Sequence, residues 1–297
     1  MSYKTLFTFA FIILFFLVGC SNQQTRSKSS VVDYLYPANT ETVIQPSTPT
    51  LNLPLKVGIA FVPEQETKTR GRNQWTGVVG SGAALTSASK SDLLDKVASN
   101  FKELDFVSEI EVIPTEYLTH GGSFTNLEQI QTMYGIDVIA LVSYDQVQFT
   151  DEGFLSLTYW TIVGAYVVSG ELNDTSTMLD TVVYDIKSKK MLFRAPGTSV
   201  VKGNATPVNL SEELREDSIE GFNMAAEEMT KNLHLQLERF KAKIKQNPEQ
   251  VNIVHREDYS GGSGGILSLY ELVALLFITV AIRNLTNRSS RHKKHAA

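Results

Sequence analysis

The sequence predicts a single α/β domain, a sandwich of helices on a mixed sheet, between a hydrophobic segment at each end of the chain. Over residues 56–149, short runs rich in Val and Ile alternate with segments whose apolar residues recur at helical spacing, the pattern of a β-α-β-α-β unit. Strand-like runs alone follow as far as residue 201, which is typical of a β-meander, and a long amphipathic helix comes last. We therefore expect an α/β sandwich domain over residues 51–250.

Charge is unevenly distributed along the 297 residues. The whole chain has a net charge of −5, but residues 20–265 contain 21 basic and 31 acidic side chains, a net charge of −10. A domain this acidic repels phosphate backbones, so we expect no nucleic-acid partner. The apolar fraction of 42% also excludes wholesale disorder.

The first strand is predicted at Lys56–Pro63, and residues 64–88 are predicted to form a long polar loop. The remaining predictions for the α/β unit are, in order, a helix over Ser89–Leu104, a strand over Glu109–Pro114, a helix over Asn126–Tyr134 and a strand over Asp137–Phe149.

The meander is predicted from three further runs, Leu155–Val168, Leu179–Ile186 and Met191–Val201, with Lys187–Lys190 as the last turn. A helix over residues 210–245 follows, with Asn209 and Glu212 at capping-box spacing. Its apolar stripe, from Phe222 to Ile244, predicts packing on the domain's own sheet. Alternatively, because such a helix is about 53 Å long, its far end projects and forms a homo-oligomer with a second copy.

Residues 1–19 predict an export signal. Lys4 is the only charged residue, and the apolar run Leu6–Val18 is too short for an ordinary membrane span but typical of a signal-peptide core. Cys20 follows as the only cysteine of the chain, so it has no disulfide partner within it. Residues 20–50 are rich in Ser, Thr, Asn, Gln and Pro and predict a flexible tether, in which Val31–Tyr36 could dock locally.

The end of this signal, Leu17, Val18, Gly19 and Cys20, resembles the lipobox of bacterial lipoproteins. That resemblance implies cleavage before Cys20 and its acylation by the lipoprotein-processing enzymes, so that the protein is held by the lipid bilayer in the cell envelope. Ser21, in place of Asp, implies the outer membrane. The alternative is an ordinary secretory signal whose cleavage site happens to contain a cysteine.

The carboxyl-terminal forty-odd residues have three parts in a fixed order. Residues 251–265 form a linker with a Gly/Ser cluster, residues 266–282 are apolar enough for a short transmembrane helix, and residues 283–297 form a basic tail, which the positive-inside rule assigns to the cytoplasm. The cluster consists of Gly261, Gly262, Ser263, Gly264 and Gly265. Glycines weaken helix formation by about 1 kcal/mol each, so they keep a backbone open to a protease.

This order resembles the GlyGly-CTERM sorting signal, which implies cleavage in the Gly261–Gly265 region by rhombosortase, a rhomboid-type protease. A plain tail anchor is the alternative. A lipobox and a GlyGly-CTERM tail on one chain resemble the rhombotarget lipoproteins.

The order of elements, with Asp137–Ala140 and the hairpin around Lys187–Lys190, also resembles the periplasmic domain of the curli-secretion lipoprotein.

No motif in the middle of the chain predicts catalysis, a metal or a cofactor. The glycine-rich run 77–82 lacks the Lys of a phosphate loop, residues 120–123 around His120 lack a nucleophile motif, and His234 and His255 belong to no ligand cluster. The acidic pairs Glu212–Glu213 and Glu227–Glu228 are expected on a solvated helix face. We therefore predict a non-enzymatic binding or assembly module, with an envelope-anchored hydrolase or a doubly anchored inner-membrane scaffold as the alternatives.

Overall fold

The protein is described here from a computed structural model, in which residues 22–38, 47–72, 85–152 and 171–256 are defined. The strands in these ranges are β1 (Asn22–Lys28), β2 (Thr50–Leu53), β3 (Leu55–Phe61), β4 (Lys68–Gly71), β5 (Val107–Val112), β6 (Val138–Glu152), β7 (Glu171–Asp185), β8 (Lys190–Ala205) and β9 (Asn252–His255). The helices are α1 (Val31–Leu35), α2 (Ser87–Ser99), α3 (Ser123–Tyr134) and α4 (Leu210–Gln246).

One mixed sheet organises the domain, and its centre is the long strand β6. Along one edge β6 pairs with β7 over its full length, and β7 pairs with β8, both antiparallel. Along the other edge β6 has two successive partners: β3, parallel, over residues 138–142, and then β1, antiparallel, over residues 145–151. The sheet therefore has a β3 half, completed by β5, and a β1 half, completed by β4.

Helices cover both faces of the β3 half, as the predicted α/β sandwich requires. On one face α2 and α4 pack over Ile59, Phe61 and Val142. On the other face α1 and α3 pack over residues such as Ala60, Ile139 and Leu141. The β-α-β-α-β order, the mixed sheet and the closing helix are confirmed. The predicted strand at residues 155–168 lies outside the described residues.

The helix α4 lies unusually close to the sheet. A Cβ atom added at Gly197 of β8 would lie 2.1 Å from the carbonyl oxygen of Ala225, and one added at Gly221 of α4 would lie 2.6 Å from Oγ1 of Thr177. Only glycine permits these two backbones to approach so closely. The contact brings the helix backbone within hydrogen-bonding reach of side chains on the sheet.

The far end of α4 does not project from the domain. Phe240 and Ile244 pack with Leu51 and Val251 beside a small parallel sheet, in which β2 pairs with β9. The stripe from Phe222 onward is therefore covered by the same chain along its length. The expectation of a projecting end is wrong because residues 47–53 and 251–256, assigned in part to tether and linker, fold against it.

The predicted tether over residues 20–50 is wrong for the part that the structure describes. Residues 22–28 form β1, between β4 and β6, and α1 buries Tyr34 and Leu35 in the core. The sequence of this segment predicts no strand because β1 has no apolar side chain. Its stabilisation comes from backbone hydrogen bonds on both edges instead.

Two local predictions also fail. Asn209 precedes α4, but its side chain makes no capping bond. It accepts hydrogen bonds from Thr206 and donates one to Glu213, so the capping box with Glu212 is absent. The predicted loop over residues 64–88 contains β4, and α2 starts within it at Ser87. The domain thus extends beyond the predicted 51–250, from Asn22 to Arg256.

Candidate functional site

The predicted processing residues lie outside the described residues. This holds for the lipobox (Leu17, Val18, Gly19 and Cys20), the cleavage region (Gly261, Gly262, Ser263, Gly264 and Gly265), the apolar segment 266–282, the basic tail 283–297 and the glycine-rich run 77–82. Among the helices of the described ranges, none has the length and apolarity that crossing a membrane requires. The structure does describe where the chain enters the fold, because Asn22 pairs with Asp151 only two residues after Cys20.

The histidines singled out from the sequence are not brought together. His120 is exposed in a turn, and His255 lies on the exposed strand β9. His234 of α4 stacks on Phe101, with 4.3 Å between ring centroids and an angle of 19° between the ring planes. Across the described part of the chain, no three His, Cys, Asp or Glu side chains are grouped as metal ligands.

Of the acidic pair Glu227–Glu228 on α4, Glu228 makes hydrogen bonds to the sheet. Glu227 and Glu228 are both exposed, as predicted, and Oε2 of Glu228 accepts hydrogen bonds from the backbone N–H and the hydroxyl of Thr198, at 2.6 and 3.0 Å. These donors hold the pKa of Glu228 below its usual range. Glu228 therefore helps to hold α4 on β8 and does not form an acid/base pair with its neighbour.

A largely buried ion pair joins α2 to the sheet. Nζ of Lys90 is 3.6 Å from Oε2 of Glu64 and 5.8 Å from the ring centroid of Tyr144. Burial is the main cause that raises the pKa of Tyr144, with Glu64 adding to it, so the phenol stays neutral. The adjoining cavity, next to Gln146, is about 10 Å³, the space of about one water molecule. No substrate fits there.

A much larger opening than this cavity lies on the opposite face of the sheet, where the β3 half meets the β1 half. We call it the sheet groove: a cleft of about 470 Å³ bounded by α1 and floored by β6, β7 and β8. Its size is within the range of small-molecule sites. The groove is lined by apolar side chains that include Val31, Val32, Met178, Val182 and Tyr184.

Two ion pairs flank this apolar floor. Arg26 of β1 binds Asp145 through two hydrogen bonds, one of them 2.8 Å from Nε to Oδ1. Nε of Arg194 lies 2.7 and 2.8 Å from the two carboxylate oxygens of Asp180. Burial and nearby Tyr36 raise the pKa of Tyr184 to about 12, so its hydroxyl is neutral. Each Arg is paired with an Asp, and Lys28 also lines the groove, so the groove suits a ligand that is largely apolar.

Sequence reasoning missed the sheet groove. Arg26 falls in the segment assigned to the tether, and Asp145 and Asp180 fall in predicted strands without any sign of a partner. The usable signal is the alternation along β6, where Ser143, Asp145 and Val147 point to one face of the sheet. The pairing itself joins residues 119 positions apart, which no local pattern reveals.

Comparisons with known proteins define no family for this chain. No family model matches it, and no curated protein matches it. A solved structure of a neuraminyllactose-binding hemagglutinin homolog from Helicobacter pylori is similar over 72% of this chain and 97% of its own, with 8% identity and a TM-score of 0.34. A DUF330 protein from Xanthomonas campestris is similar over 66% and 99%, with 10% identity and a TM-score of 0.25. Scores this low do not establish a common fold.

Proposed function

We propose that this protein is a bacterial envelope lipoprotein, acylated at Cys20, whose folded domain is a binding or assembly module. The observation that carries the proposal is the sequence Leu17-Val18-Gly19-Cys20, which ends an export signal with the only cysteine of the chain. Two or more acyl chains anchor a protein stably, whereas a single chain binds reversibly. The folded domain begins at Asn22, directly behind this anchor.

The sheet groove supports a binding role for the domain. It combines an apolar floor with a few fixed polar groups, which is the usual composition of a ligand site. The Arg26–Asp145 and Arg194–Asp180 pairs hold their side chains in place at its margins. We infer an apolar ligand or an apolar segment of a partner protein as the occupant.

The carboxyl-terminal segment completes the proposal. A helix at residues 266–282 would root the chain in the inner membrane and oppose transfer of the acylated protein to the outer membrane. Cleavage by a rhomboid-type protease in the Gly261–Gly265 region removes this conflict. The mature protein then consists of the acylated Cys20 and the domain that follows it, in the outer membrane or on the cell surface.

The intact mass of the protein extracted from bacterial membranes tests both ends together. We expect a chain that begins at Cys20, carries acyl groups and lacks residues 266–297. The variant Cys20→Ser should lose the acyl mass. A wild-type protein with an unmodified Cys20 thiol would refute the lipoprotein assignment.

The same measurement tests the glycines. Replacing Gly261, Gly262, Gly264 and Gly265 by Leu should leave the basic tail attached, because a continuous helix resists the protease. Ser263→Ala is the matched control and should be trimmed as the wild type is. An unchanged mature mass in the leucine variant would contradict the proposed cleavage region, and an uncleaved, acylated wild type would favour a doubly anchored scaffold.

A further inference from the structure

Exposed apolar side chains cluster at the end of the sheet where the chain enters. They lie on the β1 half, on the face opposite α4, which we call the outer face. Phe149 is 42% exposed, Leu172 56% and Val200 57%, and Val147 lies between them at intermediate exposure. In the register of the sheet, Phe149 and Leu172 are diagonal neighbours and Val147 shares a row with Val200. No described helix covers them, since α1 and α3 pack on the β3 half.

In this half of the sheet, several apolar side chains lie on the outer face among charged ones, although, among the described residues, a helix covers only the other face. The side chains that point toward α4 are polar and buried, among them Gln146, Gln148, Asn173 and Thr175. Those that point away include the exposed Phe149, Leu172 and Val200. A strand that only covers a core has the opposite arrangement, with its apolar residues inward. The outer face therefore has the composition of a contact surface.

The anchor is close to this surface. Two residues span at most about 7 Å, so an acylated Cys20 lies within that distance of Asn22. Asn22 stands opposite Asp151, which in turn stands opposite Leu172. Adjacent strands are about 5 Å apart, so the backbone of Leu172 is about 10 Å from that of Asn22. The acyl chains thus hold Phe149 and Leu172 near the bilayer surface.

Charge distinguishes the two sides of the sheet. The outer face of the β1 half has six basic side chains (Arg26, Lys28, Lys68, Arg70, Arg194 and Lys202) and four acidic ones (Asp145, Asp151, Asp174 and Asp180), so its net charge is +2. On the other side, residues 210–228 of α4 contain seven acidic residues and one basic residue. An anionic bilayer repels the α4 side and not the outer face.

The connection between β6 and β7 starts from the same end. It comprises residues 153–170, which lie outside the described residues, and its sequence has no Asp, Glu, Lys, Arg or His. A long uncharged stretch that leaves the sheet beside the anchor is compatible with a bilayer at this end.

From these observations we propose that the outer face, through Phe149, Leu172 and Val200, is a lipid-contact surface that lies against the bilayer in which Cys20 is anchored. The inference rests on the proposed acylation of Cys20. It adds an orientation: the β1 half lies on the membrane, and α4 with its acidic residues faces away from it.

The test compares two labelled positions in the mature, acylated protein. Leu172→Cys lies on the outer face, and Ile219→Cys lies on α4 with a similar exposure of 46%. Each is labelled with an environment-sensitive fluorophore, since acylation blocks the thiol of Cys20. The protein is reconstituted in vesicles of phosphatidylethanolamine and phosphatidylglycerol. Acrylamide, an uncharged aqueous quencher, and brominated lipids then report the surroundings of each label.

We expect acrylamide to quench the label at residue 172 about fivefold less than the label at residue 219, as for groups buried in the interfacial region. Brominated lipids should quench only the label at residue 172. Equal acrylamide quenching at both positions would overturn the proposal. Shielding of residue 172 without quenching by brominated lipid would also overturn it, in favour of a protein neighbour such as a second copy. Intact mass, measured before labelling, separates these results from failure of the acylation itself.

Discussion

At the residue scale, the most unusual group in the described structure is Asp217 of α4. Its Oδ2 atom is buried and has no hydrogen-bond partner among the described residues, as is true of both side-chain polar atoms of Asn173. A Cβ atom added at Gly203 would lie 2.7 Å from this Oδ2, and Gly203 stands opposite Asn173 in the sheet. The carboxyl and the amide therefore face the same small space under the helix. A buried polar group without a partner costs about 1–3 kcal/mol.

The pH dependence of stability should report on Asp217. Burial raises its pKa first, and Glu213, Glu220 and Glu216 of the same helix raise it further. On the strands below, Asp174 and Lys202 point to the other face of the sheet. Because the pKa in the folded state is above its unfolded value, the stability that Asp217 contributes is complete below the unfolded pKa, near 4. It is lost as the pH rises through the folded pKa.

The variant Asp217→Asn removes this titration with little change of shape. We expect its free energy of unfolding to exceed that of the wild type at pH 7, and the difference to disappear toward pH 4. Urea unfolding at a series of pH values measures it. Asp92→Asn, at an exposed position on α2, is the control and should give no such difference. A difference independent of pH would show that Asp217 is not the titrating group.

At the scale of elements, α4 is attached to the sheet by polar as well as apolar contacts. Nε2 of Gln146 donates to Oγ1 of Thr177 at 2.8 Å and to the carbonyl oxygen of Ser218 at 3.2 Å, and the hydroxyl of Ser218 donates to Oε1 of Gln146 at 2.6 Å. Gln148 likewise donates to the carbonyl oxygen of Leu214 at 2.7 Å. These bonds satisfy polar side chains that would otherwise be buried without partners, and they set the register of helix on sheet.

Removal of one hydroxyl should weaken this attachment. Ser218→Ala leaves Oε1 of Gln146 without its donor, and we expect a loss of about 1–3 kcal/mol in the free energy of unfolding. Ser211→Ala, on the same helix but exposed, should change it by less than about 0.5 kcal/mol. Chemical denaturation of both variants gives the comparison. Equal effects would mean that the Gln146–Ser218 contact does not stabilise the helix on the sheet.

At the scale of the whole molecule, segments distant in sequence complete the fold. The strand β1 pairs with β4 and β6, the backbone N–H of Ser29 donates to the carbonyl oxygen of Tyr144 at 2.8 Å, and α1 places Tyr34 and Leu35 in the core. At the other end β9 pairs with β2 beneath the last turns of α4. Both segments lie outside or at the margin of the domain predicted from sequence.

Two fragments test these boundaries. The fragment 22–256 should unfold in one cooperative transition, whereas the fragment 51–250 should not. The shorter one lacks the strand that pairs with residues 145–151 and the side chains that fill the core beside α3. Circular dichroism and urea unfolding distinguish them. A transition of the fragment 51–250 with the same midpoint would show that β1, α1 and β9 are dispensable.

The sequence alone was sufficient for the order of the central elements, from the strand at Lys56 to the long final helix. Each of these helices and strands buries one face, so its apolar residues recur at a regular spacing that can be recognised from neighbouring residues alone. The same local patterns support the export signal and the apolar segment 266–282, which remain predictions together with the acylation of Cys20.

Only the tertiary structure decided the role of residues 22–38, the position of the sheet groove and the exposure of apolar side chains on the outer face of the β1 half. The strand β1 has no apolar side chain, so its burial follows from backbone pairing with strands that lie far away in the sequence. Likewise, Arg26 meets Asp145 because both strands share an edge of the sheet. Such contacts form only when segments distant in sequence meet in the folded chain. The residues around each partner have no local pattern that predicts the contact, so the sequence alone does not reveal it.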